Sequence, residues 1–506
     1  MSLVPNQPAV PARKRIAELL DEEDPEAAVQ ALPATDLYAL VKEIGLGDAT
    51  DILALAAPEQ VQACLDLDVW DGDQIRDADV RPWLFALVET GPEKLTQVWR
   101  ELDPELPALL LARWCRIYQL AEEEVPDWEE PPFVPTPDRY FMLKVTAEDP
   151  DTAKLVDLLI DRLYRVDAVL ARHSIRAAAS EPAAQLEEQL FRWRTGRMQD
   201  LGFAPLDEAL EIYQPIDLTG APSPADAPDQ PPHDARLLPV LAQPLAQAPF
   251  LSRVLARVTG DSLRLEGSLA MLLNKVLAAH RVEPSDTVGA TAAAAYGAAT
   301  LSLGLETLAR GDVDQGLHTL QSSSLTRLHR VGWTIVLSLA RLARALWEAQ
   351  RARPVEGARP PEDRVDEEDR ALVAALRAPR PRLADGRPIA QVADVKRVTS
   401  ALALIGAKVT LVEALGHTGK ETLGAVLRTA IVRATLGLPL SPVTISLADL
   451  QRFLRAPEID VTPAFAALEK PLPEEFAAVI SGYRRELQAM PAEADAHILD
   501  GVLLFS

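Results

Sequence analysis

Apolar positions recur along the chain at helical spacing, first in short units and then in long ones. Arg13 to Leu20 and Pro25 to Leu32 read as two short helices on either side of the acidic stretch Asp21 to Asp24. A regular pattern follows. Leu32-Pro33 precedes Asp36 to Ile44, Leu46-Gly47-Asp48 precedes Ala49 to Leu55, and Ala57-Pro58-Glu59 precedes Val61 to Leu67. Each unit opens on a Pro or Gly breaker with an acidic residue, which suits the first turn and the dipole of a helix. The pattern continues through Pro82 to Glu89, Pro92 to Leu102 and Pro107 to Leu120. Short helices at a period of roughly a dozen residues cannot each bury a face alone, so they are predicted to stack as a superhelix.

Glu122 to Asp138 is too polar and proline-rich for a core and reads as a linker, and Tyr140 to Val145 suits one short strand. A strong helix is predicted from Thr152 to Arg172, with Val156, Leu159, Leu163, Val166 and Leu170 on one face and an Asp161–Arg165 ion pair on another. A second helix starts at Ala183. The Pro/Asp/Ala-rich stretch Leu218 to Asp234 reads as the main flexible linker. Leu237 to Gln350 returns to paired helices, with a Gly-Asp turn inside Ala309 to Asp314 and with Ala293, Gly297 and Gly304 allowing close backbone approach. A tetratricopeptide-like arrangement is allowed, but the full consensus of that repeat is not met. Arg351 to Pro388 is an Arg/Pro/acidic linker interrupted by Glu368 to Leu376. Helices follow at Val392 to Leu415 and Thr422 to Leu436, Ser446 is placed to cap another, and the tail His497 to Phe505 is expected to add a strand or dock as an apolar strip. The resulting segments are 1–125, a linker 126–139, 140–217, a linker 218–236, 237–350, a linker 351–388 and 389–506.

Composition agrees with the pattern. Hydrophobic residues make up 48% of the chain and aromatics only 5%, so the apolar fraction is largely Ala, Leu and Val, which favours helix over sandwich or barrel. The predicted fold class is mainly α, a multi-segment helical array with few or no strands. At 506 residues, more than one core is expected. A formal charge of −24 opposes binding to nucleic-acid backbones and to anionic membrane surfaces. Cys64 and Cys115 lie far apart in apolar helical runs and read as buried thiols of a reducing compartment. No signal peptide is recognised at Met1 to Ile16. Thr287 to Leu305, the longest uncharged run, is built of Ala, Gly, Thr and Ser, poor material for lipid and good material for a buried helix. The chain is expected to be cytoplasmic, without membrane insertion.

The catalytic inventory is thin, and no catalytic, cofactor-binding or metal-binding residue is assigned. Gly416 to Glu421 imitates a phosphate loop but has Ala414 and Glu421 where Gly and Ser or Thr are required. Asp66, Asp68, Asp71 and Asp73 around Gly72 imitate a calcium loop, but Leu67 falls at its first ligand position, so a solvated acidic turn is expected. Asp157 and Asp161 read as a solvated helix face, and His329 as a hydrogen-bonded structural histidine.

Phe191 to Pro215 holds the densest chemistry. Leu186, Leu190, Trp193, Arg197 and Leu201 form one helical stripe, and Arg197 stands where an apolar residue is expected. A guanidinium on a buried face needs a carboxylate or a phosphate. The internal candidates are Asp200, Glu208 and Glu211, with Arg197 stacked on Trp193 as a structural clamp. The alternative is that Arg192, Arg194 and Arg197, with Arg172 and His173, bind an anionic small molecule or an acidic partner.

The Leu-Pro-x-x-acid punctuation of the first quarter resembles the N-terminal superhelical domain of MgtE-type magnesium transporters; transport is not carried over, because their transmembrane bundle has no counterpart here. Trp193-Arg-Thr-Gly-Arg-Met-Gln-Asp-Leu-Gly-Phe203, Glu208-Ala-Leu-Glu-Ile-Tyr-Gln-Pro215 and Leu328-His-Arg-Val-Gly-Trp333 resemble an uncharacterised bacterial domain-of-unknown-function family, the one numbered six-one-seven-eight. That resemblance runs over most of the chain from Leu37 to Gly45 onward and implies no activity and no functional residues. Two functions stand: a non-enzymatic scaffold or adaptor for protein partners, and a ligand-responsive regulator or enzyme with its pocket around Arg197.

Overall fold

The computed structural model describes residues 11–122, 132–218, 227–259, 262–351, 364–416, 421–440, 443–468, 471–489 and 502–505. It is 68% helical, with a few short strands in two small sheets. The chain divides into two compact units, Met1–Gln214 with Leu218–Arg330, and Pro215–Asp217 with Val331–Ser506.

The first unit begins with short helices at Ala12–Leu20, Pro25–Gln30, Ala34–Ile44, Thr50–Leu55, Pro58–Asp68, Asp77–Glu89, Pro92–Glu101 and Glu105–Trp114. Their breaks have local causes. The Asp24 carboxylate accepts the Ala27 N–H ahead of the second helix, and Gly45 and Gly91 reverse the chain at φ of 86° and 107°, where a side chain is strained. Leu37, Val41, Leu53, Val61, Trp83 and Leu95 are fully buried between them. Pro82 lies inside Asp77–Glu89 and does not open it; Asp77 and Asp79 occupy the first turn instead. The run Pro107 to Leu120 is not one helix. Glu105–Trp114 ends and Cys115–Gln119 continues as a strand, so Cys115 is a strand residue. That strand and Phe133–Pro135 both pair antiparallel with Phe141–Val145, the centre of a three-stranded sheet. Phe141, Leu143 and Val145 turn inward by strand alternation. Residues 123–131 of the proline-rich linker lie outside the described residues.

The predicted helix Thr152 to Arg172 is two helices, Pro150–Val166 and Ala168–Ser180. The Asp167 carboxylate accepts the Val169 and Leu170 N–H groups, which caps a new helix and leaves Val166 exposed. Ala183–Asp200 follows, then the short turns Leu206–Ala209 and Leu210–Tyr213. Six more helices, Pro239–Gln247, Pro249–Leu255, Ser262–His280, Thr287–Leu308, Val313–Ser322 and the start of Leu325–Arg351, complete this unit. Thr287–Leu308 is the one helix among the described residues long and apolar enough to cross a membrane, and 72% of its apolar window is buried in the protein. Gly297 lies so close to Ser262–His280 that a Cβ there would meet Val276 at 2.8 Å.

The second unit contains the rest of Leu325–Arg351 and the helices Glu367–Arg377, Val392–Ala414, Leu423–Thr435, Leu447–Leu454, Thr462–Ala466 and Phe476–Gln488. Ser446 caps Leu447–Leu454 with a reciprocal Asp449 bond. Ile445 bridges Phe505 in parallel, and the Leu504 N–H donates to Thr429 Oγ1, so the end of the tail docks on Leu423–Thr435. Of the imitation phosphate loop, residues 417–420 lie outside the described residues.

Candidate functional site

The helix Ala183–Asp200 carries the cationic cluster, and its inward face is set by one strict period: Leu186, Leu190, Arg194 and Met198 are buried. Trp193 is 59% exposed. The inward stripe therefore passes through Arg194, not Trp193, because steps of four residues from Leu186 reach Arg194.

Arg197 lies beside this stripe. Its Nε and Nη2 donate to the Asp66 carboxylate at 2.6 and 3.1 Å, and its Nη1 and Nη2 donate to the Asp103 carboxylate at 3.1 and 2.8 Å. Every guanidinium nitrogen is engaged. The carboxylates chosen from the sequence are not these: Asp200 and Glu211 are exposed, and Glu208 pairs with Lys275 at 2.6 Å. Burial works against the charge on Arg197, yet its hydrogen bonds to Asp66 and Asp103 raise its pKa above the usual arginine range. Burial pushes the Asp66 carboxyl up, and the hydrogen bonds and charge of Arg197, with the charge of Arg194, oppose it.

Arg194 is 7% exposed. Its Nε donates to the Asp66 main-chain oxygen at 2.9 Å, its Nη2 pairs with Glu283 at 2.9 Å, and its Nη1 reaches the Gly72 oxygen at 3.5 Å. The guanidinium lies over Trp70, 5.1 Å from the ring centre, so the aromatic partner of this cluster is Trp70 and the stacked arginine is Arg194. Next to Asp66 and Arg197 is a cavity of about 10 Å³ lined with Leu65, Trp70, Leu106 and Leu190. That is room for one water at most, far below the several hundred Å³ of a ligand pocket.

The other candidate residues are dispersed. Arg192 pairs with Glu188 one turn earlier on the exposed face. Arg172 pairs with Asp138 and lies over Tyr140 at 5.0 Å, and His173 beside it is exposed. The same one-turn pairing recurs on the helix Pro150–Val166, where Arg165 donates to Asp161.

Asp66 and Asp68 are not a solvated acidic turn. Both are buried, and Asp68 accepts from Tyr38 Oη at 3.0 Å, Lys42 Nζ at 2.8 Å and Trp83 Nε1 at 2.8 Å. Asp71 and Asp73 remain exposed. Among the described residues no group of three His, Cys, Asp or Glu side chains could hold a metal ion. His329 is fully buried, with Nδ1 3.3 Å from the Ile212 oxygen and its ring edge-on to Tyr213; burial pushes its pKa down to about 4. Tyr213 Oη lies 2.6 Å from His280 Nε2, in a buried knot of aromatic and imidazole rings.

Sequence reasoning missed Asp66, Asp103 and Glu283. One signal for Asp66 was present: it lies between Leu65 and Leu67 at the end of an apolar helical run, Val61 to Leu67.

A model described as Family of unknown function (DUF6178) matches residues 6–494, and the chain belongs to that family. No curated protein and no solved structure matches it.

Proposed function

We propose that this member of a family of unknown function is a non-enzymatic, cytoplasmic helical adaptor for protein partners, and that Arg194 and Arg197 are its internal clamp. The observation that carries this reading is the saturation of Arg197 by Asp66 and Asp103. An anionic ligand there would have to displace two carboxylates already in fork geometry, from a cavity of water size. The resemblance of the N-terminal helices to the MgtE-type superhelical domain belongs to the same proposal, supported by the succession of short helices opened by Pro25, Pro58 and Pro92. The two unpaired, buried thiols of Cys64 and Cys115 support the reducing compartment.

A surface for a partner is suggested around Arg172. Val169 is 74% exposed and precedes Arg172 by one turn, Val166 stands just before the cap at Asp167, and Tyr140 is 53% exposed beneath the Arg172 guanidinium. The test is capture from native cytosol with the full chain and with a Val166→Asp, Val169→Asp variant, followed by reconstitution of the recovered protein with purified chain. Retention by the parent and at least tenfold weaker binding by the variant supports the adaptor. Absence of any reconstituted partner, or equal binding by both chains, overturns it.

A further inference from the structure

The segment from Ala227 to Arg236 has no regular secondary structure, yet it is pinned at several points to the helix Ser262–His280 and to its neighbours. Asp229 does two things. Its carboxylate accepts Ser324 Oγ at 2.8 Å and the Leu325 N–H at 2.7 Å, capping the start of Leu325–Arg351, and its carbonyl accepts Arg264 Nε and Nη2 at 3.3 and 3.2 Å. Pro231 presses on Gly267, where a Cβ would fall 2.9 Å from the proline ring, and a Cβ on Gly202 would fall 3.0 Å from Ala235. Between this segment and the helix is an open cleft of about 420 Å³, walled by Pro231, Pro232, His233, Arg236, Leu263 and Arg264. Its volume is that of a small-molecule site.

The two arginines face this cleft from different elements, and both are held by main-chain oxygens. Arg236 Nη1 donates to the His233 and Ala235 carbonyls at 2.8 and 2.9 Å. Arg264 uses Nε and Nη2 on Asp229, as above. Neither forms an ion pair among the described residues, in a chain with a formal charge of −24. The carboxylates nearby are engaged otherwise. Asp229 caps a helix, Asp234 lies 3.0 Å from His233 Nδ1, and Glu266, whose carboxyl burial pushes up against the opposing charge of Arg236, accepts the Leu237 N–H. Leu263, 59% exposed, and the two prolines supply an apolar wall.

We propose that this cleft binds a phosphate-bearing small molecule, its phosphate between Arg236 and Arg264 and its apolar body against Leu263, Pro231 and Pro232. Each guanidinium keeps N–H groups that no carbonyl among the described residues takes, Nε and Nη2 of Arg236 and Nη1 of Arg264, and such groups can fork onto a tetrahedral oxyanion as a lysine could not. The site is independent of the Arg197 clamp and of the partner surface around Arg172.

The probe is phenyl phosphate, with inorganic phosphate, citrate and benzoate as comparators at equal ionic strength, measured on the full chain by calorimetry and thermal shift. Phenyl phosphate is expected to bind at least tenfold tighter than inorganic phosphate and benzoate, and the Arg236→Gln, Arg264→Gln variant to weaken it at least tenfold. Arg264→Lys, which keeps the charge, is expected to fall between parent and double variant. Should the double variant fail to fold, Leu263→Ala reads the apolar wall alone and is expected to abolish the preference for phenyl phosphate over phosphate. No saturable binding of phenyl phosphate, tighter binding of citrate, or parental affinity in the arginine variants overturns the proposal.

Discussion

Replacing Arg197 by Met removes the guanidinium and keeps much of the aliphatic stem. Asp66, whose side chain is 2% exposed, then remains in the interior with the Gln62 amide and the charge of Arg194 to relieve it. Breaking a buried pair by removing one member costs about 3–5 kcal/mol, because the other charge stays desolvated. For a unit of this size that is a fall of roughly 6–20 °C in its unfolding midpoint, at about 2–4 °C per kcal/mol. In a Trp333→Phe, Trp347→Phe background, which removes the tryptophans of the second unit, the fluorescence of Trp83, Trp99 and Trp114, all buried in the first unit, follows that transition. Two further arms identify the cause. Asp66→Leu combined with Arg197→Met replaces the pair by apolar groups and is expected to recover most of the loss, since Asp103, at 20% side-chain exposure, retains access to water. Acidification is expected to narrow the deficit of the single variant. Without Arg197, burial of Asp66 is opposed only by the charge of Arg194 and the Gln62 amide, its folded pKa lies further above the unfolded one, and the folded state binds the extra proton as pH falls. A parental midpoint for Arg197→Met, or a double variant no better than the single one, refutes the clamp.

His329 has a folded pKa of about 4 against an ordinary 6.5, so the unfolded chain takes up its proton first; stability falls between those pH values by about 3 kcal/mol in total. Comparing the parent with His329→Asn across that range should remove this part of the slope, and a pH-independent difference contradicts the buried neutral ring. Asp68→Ala orphans the Tyr38 hydroxyl and the Trp83 indole N–H, at about 1–3 kcal/mol for each buried donor, and should lower the first unit's midpoint in urea. Gly297→Ala gains about 1 kcal/mol of helix propensity but drives a Cβ to 2.8 Å from Val276, a stiff β-branched side chain; overpacking of about 1–3 kcal/mol should prevail, and a stabilised variant would show that the two helices can separate.

The helical class was legible because it depends on composition and on a short-range period. The pairs Asp161–Arg165 and Glu188–Arg192 belong to the same range, one turn apart on one helix. Arg197 could be seen as out of place for the same reason. Its partners could not be chosen, because Asp66 and Asp103 come from separate short helices whose stacking has no signature in local spacing. Nearness in sequence favoured Asp200, Glu208 and Glu211, and tertiary packing decided otherwise. The break at Asp167 shows the converse: an apolar stripe can run straight through a capping residue that ends one helix and begins another.

The hairpin Trp70–Asp71 and Gln74–Ile75 explains why so many charges meet here. Each of its strands has two residues, too few to hold a hairpin in water unaided. Side chains from distant segments supply what the ladder lacks. Glu187 accepts the Ile75 N–H at 2.9 Å and pairs with Arg113, Arg113 donates to the Ile75 carbonyl at 3.0 Å, and Glu283 accepts the Gly72 N–H at 3.1 Å while pairing with Arg194. Each ion pair thus has one member fastened to main chain. A soluble anion could compete for the guanidinium of Arg113 or Arg194, but it could not accept the Ile75 or Gly72 N–H from the position that Glu187 or Glu283 occupies without unseating a helix. The cluster that looked most like a binding site is therefore bound to the folded chain itself, whereas the proposed phosphate site lies where arginines are held by carbonyls and form no ion pair among the described residues, at Arg236 and Arg264.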